Sequence, residues 1–329
     1  MGGDPTRSLL TRRLVVISGK GGVGKTTVAA ALALAGARAG LRVILAEVGP
    51  EESVPRLFEP RPRPVGYTGR ELVPGLHAMR IDPYEALAEY LALQLGVRSL
   101  VDLVLGSRPF RQLMDASPGW RQLITLGKVW HLEQMRDEGG EPRCDLLVVD
   151  APATGHGVSF LDAPRVVVSA VRAGPLRRHA AQVEALIQDA GRTLLLPVAL
   201  PEELPARETS ELVARVRSEV GIAVDRVVVN GLVSLPAEPK LDELASRLSQ
   251  LDKTPLPGAP PGAVLAACVR YLAERARLGA HYAGEIARNT GLPVLCLPFL
   301  PAGIRDSGDL AGLAARLLDD AGAAPGIPA

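Results

Sequence analysis

One ten-residue stretch, SGKGGVGKTT from Ser18 to Thr27, constrains the fold of this 329-residue chain more than any other. It follows a short apolar run, LVVIS, typical of a buried strand, and precedes an alanine- and leucine-rich stretch typical of a helix. A glycine-rich turn between a strand and a helix binds phosphate through its backbone N–H groups. The stretch matches two patterns of this kind, Gly19-x-Gly21-x-x-Gly24 of dinucleotide-binding folds and Gly19-x-x-x-x-Gly24-Lys25-Thr26 of P-loops.

The ammonium and hydroxyl groups near the end of the stretch favour the P-loop. A dinucleotide loop brings its backbone close to a pyrophosphate and has no use for Lys25 followed by Thr26. A nucleoside triphosphate does, because the lysine reaches the β- and γ-phosphate oxygens and the hydroxyl ligates Mg²⁺. The dinucleotide interpretation needs an acidic residue after the second strand to bind a ribose, and Glu47 lies close to that place.

Apolar, strand-like segments alternate with helical stretches along most of the chain, which predicts an α/β fold. We expect a mostly parallel P-loop sheet of about seven or eight strands, covered by helices on both faces. Residues 166–171 are ambiguous, and a helix is favoured because they run on into helical periodicity over 176–190. The predicted strands cover residues 14–18, 42–47, 76–81, 145–150, 193–199, 225–230 and 293–297.

Two regions interrupt this alternation with helices in succession. Residues 83–140 predict an inserted helical subdomain between core segments 13–82 and 141–235. Residues 236–290 predict a second helical insertion, 291–320 the last strand and helix of the core, and 321–329 a loose tail. The apolar residues of the first insertion either line a groove for a client helix or, as we favour, pack helix against helix. They are Leu91, Leu95, Leu103, Leu113, Met114, Trp120, Leu123, Trp130 and Met135.

A second polar site follows the strand DLLVVD, which ends at Asp150. A carboxylate in that position can hold Mg²⁺, usually through water. We therefore predict Thr26 and Asp150 as the metal-binding residues. The small-residue segment up to His156 is suited to a loop that rearranges on contact with a γ-phosphate, with Thr154 and Gly155 as nucleotide contacts.

The extra lysine at position 20 makes the loop resemble the deviant P-loop of the SIMIBI ATPases, which include the ParA and MinD partitioning proteins, the nitrogenase iron protein and ArsA. The segment DAPATGH, from Asp150 to His156, resembles DTAPTGH of ArsA and of the ATPases that target tail-anchored proteins. The stretches LHAMRIDPYEALAEYL, LPEELPARETSEL and DRVVVNGLV are similar to the same ArsA-like branch. The resemblance extends from residue 13 to about residue 315 and implies an ATPase that uses ATP and Mg²⁺.

The resemblance also implies a role for individual residues. Lys20 reaches across a dimer interface to the partner's nucleotide, so that Lys20, Lys25 and Asp150 are the predicted catalytic residues. Asn230 matches the asparagine that recognises adenine, and Pro298 precedes the loop that closes over the base. The predicted nucleotide contacts are Gly19, Lys20, Gly21, Gly22, Val23, Gly24, Lys25, Thr26, Thr27, Thr154, Gly155, Asn230 and Pro298.

One departure from the family concerns hydrolysis. Related proteins carry an aspartate after the second strand that orients the attacking water, and Gly49 takes its place here. Glu47, Glu51 and Glu52 are near but offset. We therefore expect ATP binding to be intact and hydrolysis to be slow.

Two further departures concern metals. Cys144, Cys268 and Cys296 do not fall at the positions of the thiolates that hold metalloid in arsenite-pump ATPases. The chain also lacks the CxxC that staples the dimer of the eukaryotic targeting factors through zinc. We expect neither an arsenite site nor a zinc site.

Net charge and hydropathy bound the partners. A formal net charge of +1 provides no field for nucleic acid or for anionic lipid, so we expect no nucleic-acid binding. No apolar run is long enough to span a membrane, so we expect no stable membrane insertion. The absence of a signal-peptide core predicts a cytoplasmic protein.

Three functions stay open. The first is an ArsA-like ATPase that works as a nucleotide-gated homodimer or heterodimer and changes the shape of its helical subdomain for a client or partner protein. The second is a hydrolytically weak subunit of a heterodimer with a complete paralogue. The third, a ParA- or MinD-type positioning ATPase, is disfavoured because Asp319 and Asp320 lie in the C-terminal amphipathic stretch.

Overall fold

A computed structural model describes residues 9–95, 118–152, 157–235, 238–250 and 260–318, together with positions 108 and 112. Thr154 and Gly155 of the predicted sensor loop therefore lie outside the described residues. So do Leu103, Leu113 and Met114 of the first predicted insertion, the aspartates at 319 and 320, and the predicted tail.

Eight strands form one sheet in the order β3-β4-β2-β5-β1-β6-β7-β8. All neighbouring strands are parallel except β3, which pairs antiparallel with β4. This confirms the predicted mostly parallel α/β sheet. The strands are β1 Leu14–Ser18, β2 Val43–Val48, β3 Arg70–Val73, β4 Leu76–Ile81, β5 Leu146–Asp150, β6 Thr193–Ala199, β7 Val227–Leu232 and β8 Val294–Pro298.

The central strands are buried on both faces, because helices cover both sides of the sheet. Every residue of β1, β5 and β6 is buried, which explains their continuous apolar runs. In the described part of the chain the helices are α1 Lys25–Arg38, α2 Pro83–Leu95, α3 Pro118–Gln134, α4 Gly157–Ala170, α5 Pro175–Gln188, α6 Glu203–Arg215, α7 Glu238–Gln250, α8 Gly262–Thr290 and α9 Ser307–Leu318.

The two faces of the sheet carry different helices. Helices α1 and α9 pack together on one face, and the residues of α1 from Val28 to Gly36 are buried without interruption. Helices α3, α4 and α5 cover the β2–β5–β1 part of the other face. Helix α6 and the C-terminal half of α8, through Ala283 and Ile286, pack over β7 on that face. The predicted second insertion thus contains a helix whose end is part of the core layer.

Two details differ from the sequence-based expectations. Strand β3 was not predicted, although the Pro74-Gly75 turn between β3 and β4 is a hairpin signal. The ambiguous segment 166–171 is helical as favoured, but α4 ends at Ala170 and does not run on. Gly174 adopts φ +113° before Pro175 begins α5, and this left-handed backbone separates the two helices.

The described apolar residues of the first predicted insertion lie mostly inward. Leu123 is buried, and Trp130 and Met135 pack against the core beneath the sheet. Trp120 is exposed. A polar cluster ties the two helices to the core, since Lys128 on α3 donates to Glu89 on α2 at 2.6 Å and lies over the Tyr67 ring. The described apolar residues of this region thus pack mainly against the core of the sheet. The choice between a client groove and helix-against-helix packing stays a prediction.

Candidate nucleotide-binding site

The loop between β1 and α1 has a backbone that only glycine can provide at two positions. Gly19 has φ +152°, and a Cβ there would lie 2.2 Å from the carbonyl oxygen of Val198 on β6. Gly24 has φ +89°, and a Cβ there would lie 2.2 Å from the side-chain amide of Asn230 on β7. The loop is therefore pressed against the ends of two other strands, which fixes its shape before any ligand binds.

The open end of the loop is suited to an anion. Gly21 and Gly22 are exposed, and Gly24 precedes the first turn of α1, whose backbone N–H groups point towards the loop. The N-terminus of a helix favours negative charge through these N–H groups and the helix dipole. Thr27 is half-buried in that first turn.

Lys25 lies over the loop, and its ammonium donates to the carbonyl oxygen of Lys20 at 2.9 Å. Burial lowers the pKa of Lys25, and the charge of Asp150 partly offsets this by raising it. A phosphate beside the ammonium would favour the charged form further.

Thr26 and Asp150, the two predicted metal-binding residues, contact each other. The hydroxyl of Thr26 donates to Asp150 Oδ2 at 2.6 Å, and Asp150 is only 5% exposed. Burial raises the pKa of Asp150, while the hydrogen bond from Thr26 and the charge of Lys25 lower it. Because a buried carboxylate next to a hydroxyl is a hard oxygen donor set, these two residues fit Mg²⁺.

Unsatisfied polar atoms gather around this loop. Among the described residues, the buried side-chain atoms without a hydrogen-bond partner include Ser18 Oγ, Asp150 Oδ1 and Glu208 Oε2. Buried polar atoms are normally paired, so a cluster of exceptions indicates a place where a ligand or metal supplies the missing partners.

Glu47, near the end of β2, accepts hydrogen bonds from the backbone that follows the strand. Glu47 lies opposite Asp150 in the sheet, and its carboxylate accepts the N–H groups of Ser53 at 2.7 Å and Val54 at 3.2 Å. Burial raises the pKa of Glu47, and these two N–H groups partly offset the shift. A carboxylate buried and used in this way is not available to a ribose, which removes the acidic residue that the dinucleotide interpretation needs.

Glu52 is also engaged, because it accepts the N–H groups of Val65 at 2.7 Å and Gly66 at 3.0 Å. Glu51 is exposed and makes no hydrogen bond or ion pair with any residue that the structure describes. Gly49 does not adopt a left-handed φ, and a Cβ there would meet its nearest atom at 3.9 Å. A side chain is therefore tolerated at position 49.

Lys20 and Asn230 contact other parts of the same subunit. The ammonium of Lys20 forms an ion pair with Glu208 on α6 at 2.7 Å. The side-chain amide of Asn230 donates to the carbonyl oxygen of Val23 at 2.9 Å, so this residue braces the loop. Pro298 lies opposite Leu232 at the end of the neighbouring strand. Adenine recognition by Asn230 and base closure after Pro298 stay predictions.

Sequence reasoning did not single out Glu208 or the bracing role of Asn230. Glu208 lies in the PEELPARET segment, whose similarity to the ArsA-like branch was the available signal. Its contact with Lys20 joins residues 188 positions apart, which no local pattern specifies.

A protein family described as "Anion-transporting ATPase" matches the sequence of residues 12–178. The chain belongs to this family. The matched region includes both the glycine-rich loop and Asp150, and the match confirms the ArsA-like P-loop assignment.

Curated relatives agree with this family assignment. ATPase BagA of Mycobacterium tuberculosis is 32% identical over 233 residues, which cover 69% of this chain and 67% of that protein. The arsenical pump-driving ATPase of Escherichia coli is 29% identical over 270 residues, which cover 74% of this chain and 43% of that protein. A protein of the same description from Acidiphilium multivorum is 29% identical over 266 residues, with the same coverage. The chain thus spans less than half of the length of the two pump-driving relatives.

The three cysteines of this family member are dispersed over different elements. Cys144 is buried just before β5, and burial raises its pKa to about 11. Cys268 is exposed on α8, and Cys296 is half-buried on β8. The expectation that there is no arsenite or zinc site stays a prediction. Among the described helices, none has the length and apolar character needed to cross a membrane.

Proposed function

We propose that the protein binds ATP with Mg²⁺, hydrolyses it, and uses ATP to join two subunits, each a copy of this chain or a related paralogue. The closed pair would present an altered helical region to a client or partner protein. The observation that carries the proposal is the contact between Thr26 and Asp150 beside a glycine-rich loop, with Asp150 Oδ1 unpartnered among the described residues.

Different residues at the loop would bind the phosphates, hold Mg²⁺ and keep the loop in shape. Backbone N–H groups from Gly21 to Thr26 bind the phosphates, and Lys25 exchanges the carbonyl of Lys20 for phosphate oxygens. Thr26 and Asp150 hold Mg²⁺, which when bound supplies charge neutralisation on the β- and γ-phosphates. Asn230 keeps the loop in shape through Val23.

The loop also favours action between subunits. The side chain of Lys20 is 38% exposed, so part of it is accessible from outside the subunit. A second cation at the γ-phosphate stabilises the charge of the transition state, as an arginine finger does.

Sedimentation velocity tests the proposal directly. We expect the wild-type protein to be monomeric without nucleotide and with ADP–Mg²⁺, and to associate with ATP–Mg²⁺ or a non-hydrolysable analogue. Calorimetry on the same samples should show ATP binding and no NADH binding. ATP binding without association would contradict the gated dimer, and NADH binding would contradict the P-loop assignment itself.

A second candidate function has an observation of its own in its favour. The protein would be a weak hydrolase that serves as one half of a heterodimer, because Gly49 offers no carboxylate to orient water. Of the nearby glutamates, Glu47 and Glu52 are occupied by backbone N–H groups. Glu51 would have to fold back over the phosphates from an exposed position.

The Gly49→Asp variant discriminates between the two candidates. Since position 49 has room and an ordinary φ, we expect the variant to fold normally and to release phosphate about tenfold faster or more at saturating ATP. Glu51→Gln is the matched control and should not change turnover. Brisk wild-type turnover that collapses in Glu51→Gln would make Glu51 the residue that orients the water, and would contradict the weak-subunit function.

A further inference from the structure

Lys20 is the residue on which two contacts of the nucleotide loop converge. Its ammonium lies 2.7 Å from Glu208 Oε1, and its carbonyl oxygen accepts the ammonium of Lys25 at 2.9 Å. Both contacts lie within one subunit. A role between subunits needs the ammonium of Lys20 at the partner's phosphates, and one ammonium cannot be in both places.

We propose that Glu208 is a positioning residue that holds Lys20 within its own subunit until ATP joins two subunits. The inference rests on the proposed function and adds to it a contact that controls when Lys20 becomes available to the partner subunit. Glu208 does not touch the nucleotide in this scheme. It acts through Lys20, by competing with phosphate for the same ammonium.

The ion pair has the right strength for such an exchange. The two side chains are 38% and 34% exposed, and a partly exposed pair of this kind shifts an equilibrium by about two- to fivefold. A triphosphate carries several negative charges and can therefore displace one carboxylate. A fully buried pair would hold Lys20 too firmly to be released.

The carboxylate has no compensating partner once Lys20 leaves. Glu208 Oε2 is buried and has no hydrogen-bond partner among the described residues. Departure of the ammonium therefore leaves a partly buried carboxylate uncompensated, which opposes release. Because of this opposition, the contact restrains Lys20 within its own subunit and works against formation of the closed pair.

Nucleotide binding would also weaken the other contact of Lys20, the one that its carbonyl oxygen makes with Lys25. Lys25 donates to the carbonyl of Lys20, and a P-loop lysine that turns to the phosphates gives up that bond. Lys20 then loses one of its two ties, and only the ion pair with Glu208 remains. Binding of ATP within a subunit is thereby coupled to the freedom of its trans lysine.

The Glu208→Gln variant tests the hold, because glutamine keeps the shape of the side chain and removes its charge. We expect ATP–Mg²⁺-dependent self-association, measured by sedimentation over a range of protein concentrations, to be about two- to fivefold tighter than in the wild type. Glu211→Gln is the matched control. Glu211 lies on the same helix, pairs with Arg207 at 3.0 Å, and should not change association.

A double-mutant cycle separates the hold from a general charge effect. Removing a carboxylate near bound phosphates also reduces repulsion, whether or not Lys20 is present. If Glu208 acts through Lys20, its replacement should tighten association in the wild-type background and not in the Lys20→Ala background.

The possible results are distinct. Unchanged or weaker association of Glu208→Gln, or an equal gain in the Lys20→Ala background, would overturn the hold while leaving the ATPase proposal intact. A wild-type protein that binds no ATP in calorimetry, or that fails to associate with it, would instead refute the proposed function.

Discussion

The Lys25→Ala variant is expected to lose ATP binding, with affinity falling by about 100-fold or more. Charge-assisted hydrogen bonds to phosphate are the strongest single contacts that such a loop offers, and alanine removes them together with a half-buried charge. The loop itself should keep its shape, since Gly19 and Gly24 are fixed by β6 and by Asn230 and not by Lys25. Calorimetry with ATP–Mg²⁺ measures the loss.

Lys240→Ala is a suitable control because Lys240 is exposed on α7 and lies outside the nucleotide loop. It removes the same charge from the chain and should bind ATP as the wild type does. Equal ATP affinity of Lys25→Ala and the wild type would contradict the P-loop assignment and return attention to the dinucleotide pattern that the same glycines also fit.

The Asp150→Asn variant is expected to weaken Mg²⁺ binding to the ATP complex by about 10- to 100-fold and to slow phosphate release to match. Asparagine has nearly the same shape and can still accept the hydroxyl of Thr26, so the strand and loop should be unchanged. What is lost is the negative charge that a divalent cation requires. A magnesium titration of phosphate release measures the effect.

In the absence of nucleotide, Asp150→Asn should not lower the stability of the folded protein. Asp150 is buried, its Oδ1 has no partner among the described residues, and burial raises its pKa, so the charged form costs free energy in the folded protein. Asp150→Asn should therefore unfold at the same urea concentration as the wild type or at a higher one. This pattern is typical of residues that serve function rather than stability.

Asp145 directly precedes β5, and its replacement by asparagine should lower stability without changing the magnesium dependence. Asp145 pairs with Arg42 through two side-chain hydrogen bonds of 3.0 Å and 2.9 Å, and that pairing lowers its pKa. Its replacement should cost up to about 1 kcal/mol of stability and leave the magnesium dependence unchanged. If both variants affected magnesium dependence equally, Asp150 would not be the metal-binding carboxylate.

Much of this site was predictable because its signals are local. The loop from Ser18 to Thr27 needs only a strand before it and a helix after it, and both are visible as apolar patterns. Asp150 was predictable because parallel strands bring their carboxyl ends to one edge of the sheet, so a carboxylate ending β5 must come close to a loop that follows β1. Strand β3 was missed because it has only four residues and none of them is fully buried, which leaves too little apolar pattern to stand out.

The sequence by itself determined the α/β class, the glycine-rich loop between β1 and α1, and the place of Asp150 close to that loop. Each depends on residues adjacent in the chain or on the general geometry of a parallel sheet. Only the tertiary structure decided that Lys20 pairs with Glu208 and that Asn230 braces Val23. It also decided that the carboxylate of Glu47 is occupied by backbone N–H groups after β2. The first two contacts join residues 188 and 207 positions apart. Such contacts depend on which strands and helices become neighbours, and that order is set by packing of the whole sheet rather than by any stretch of sequence.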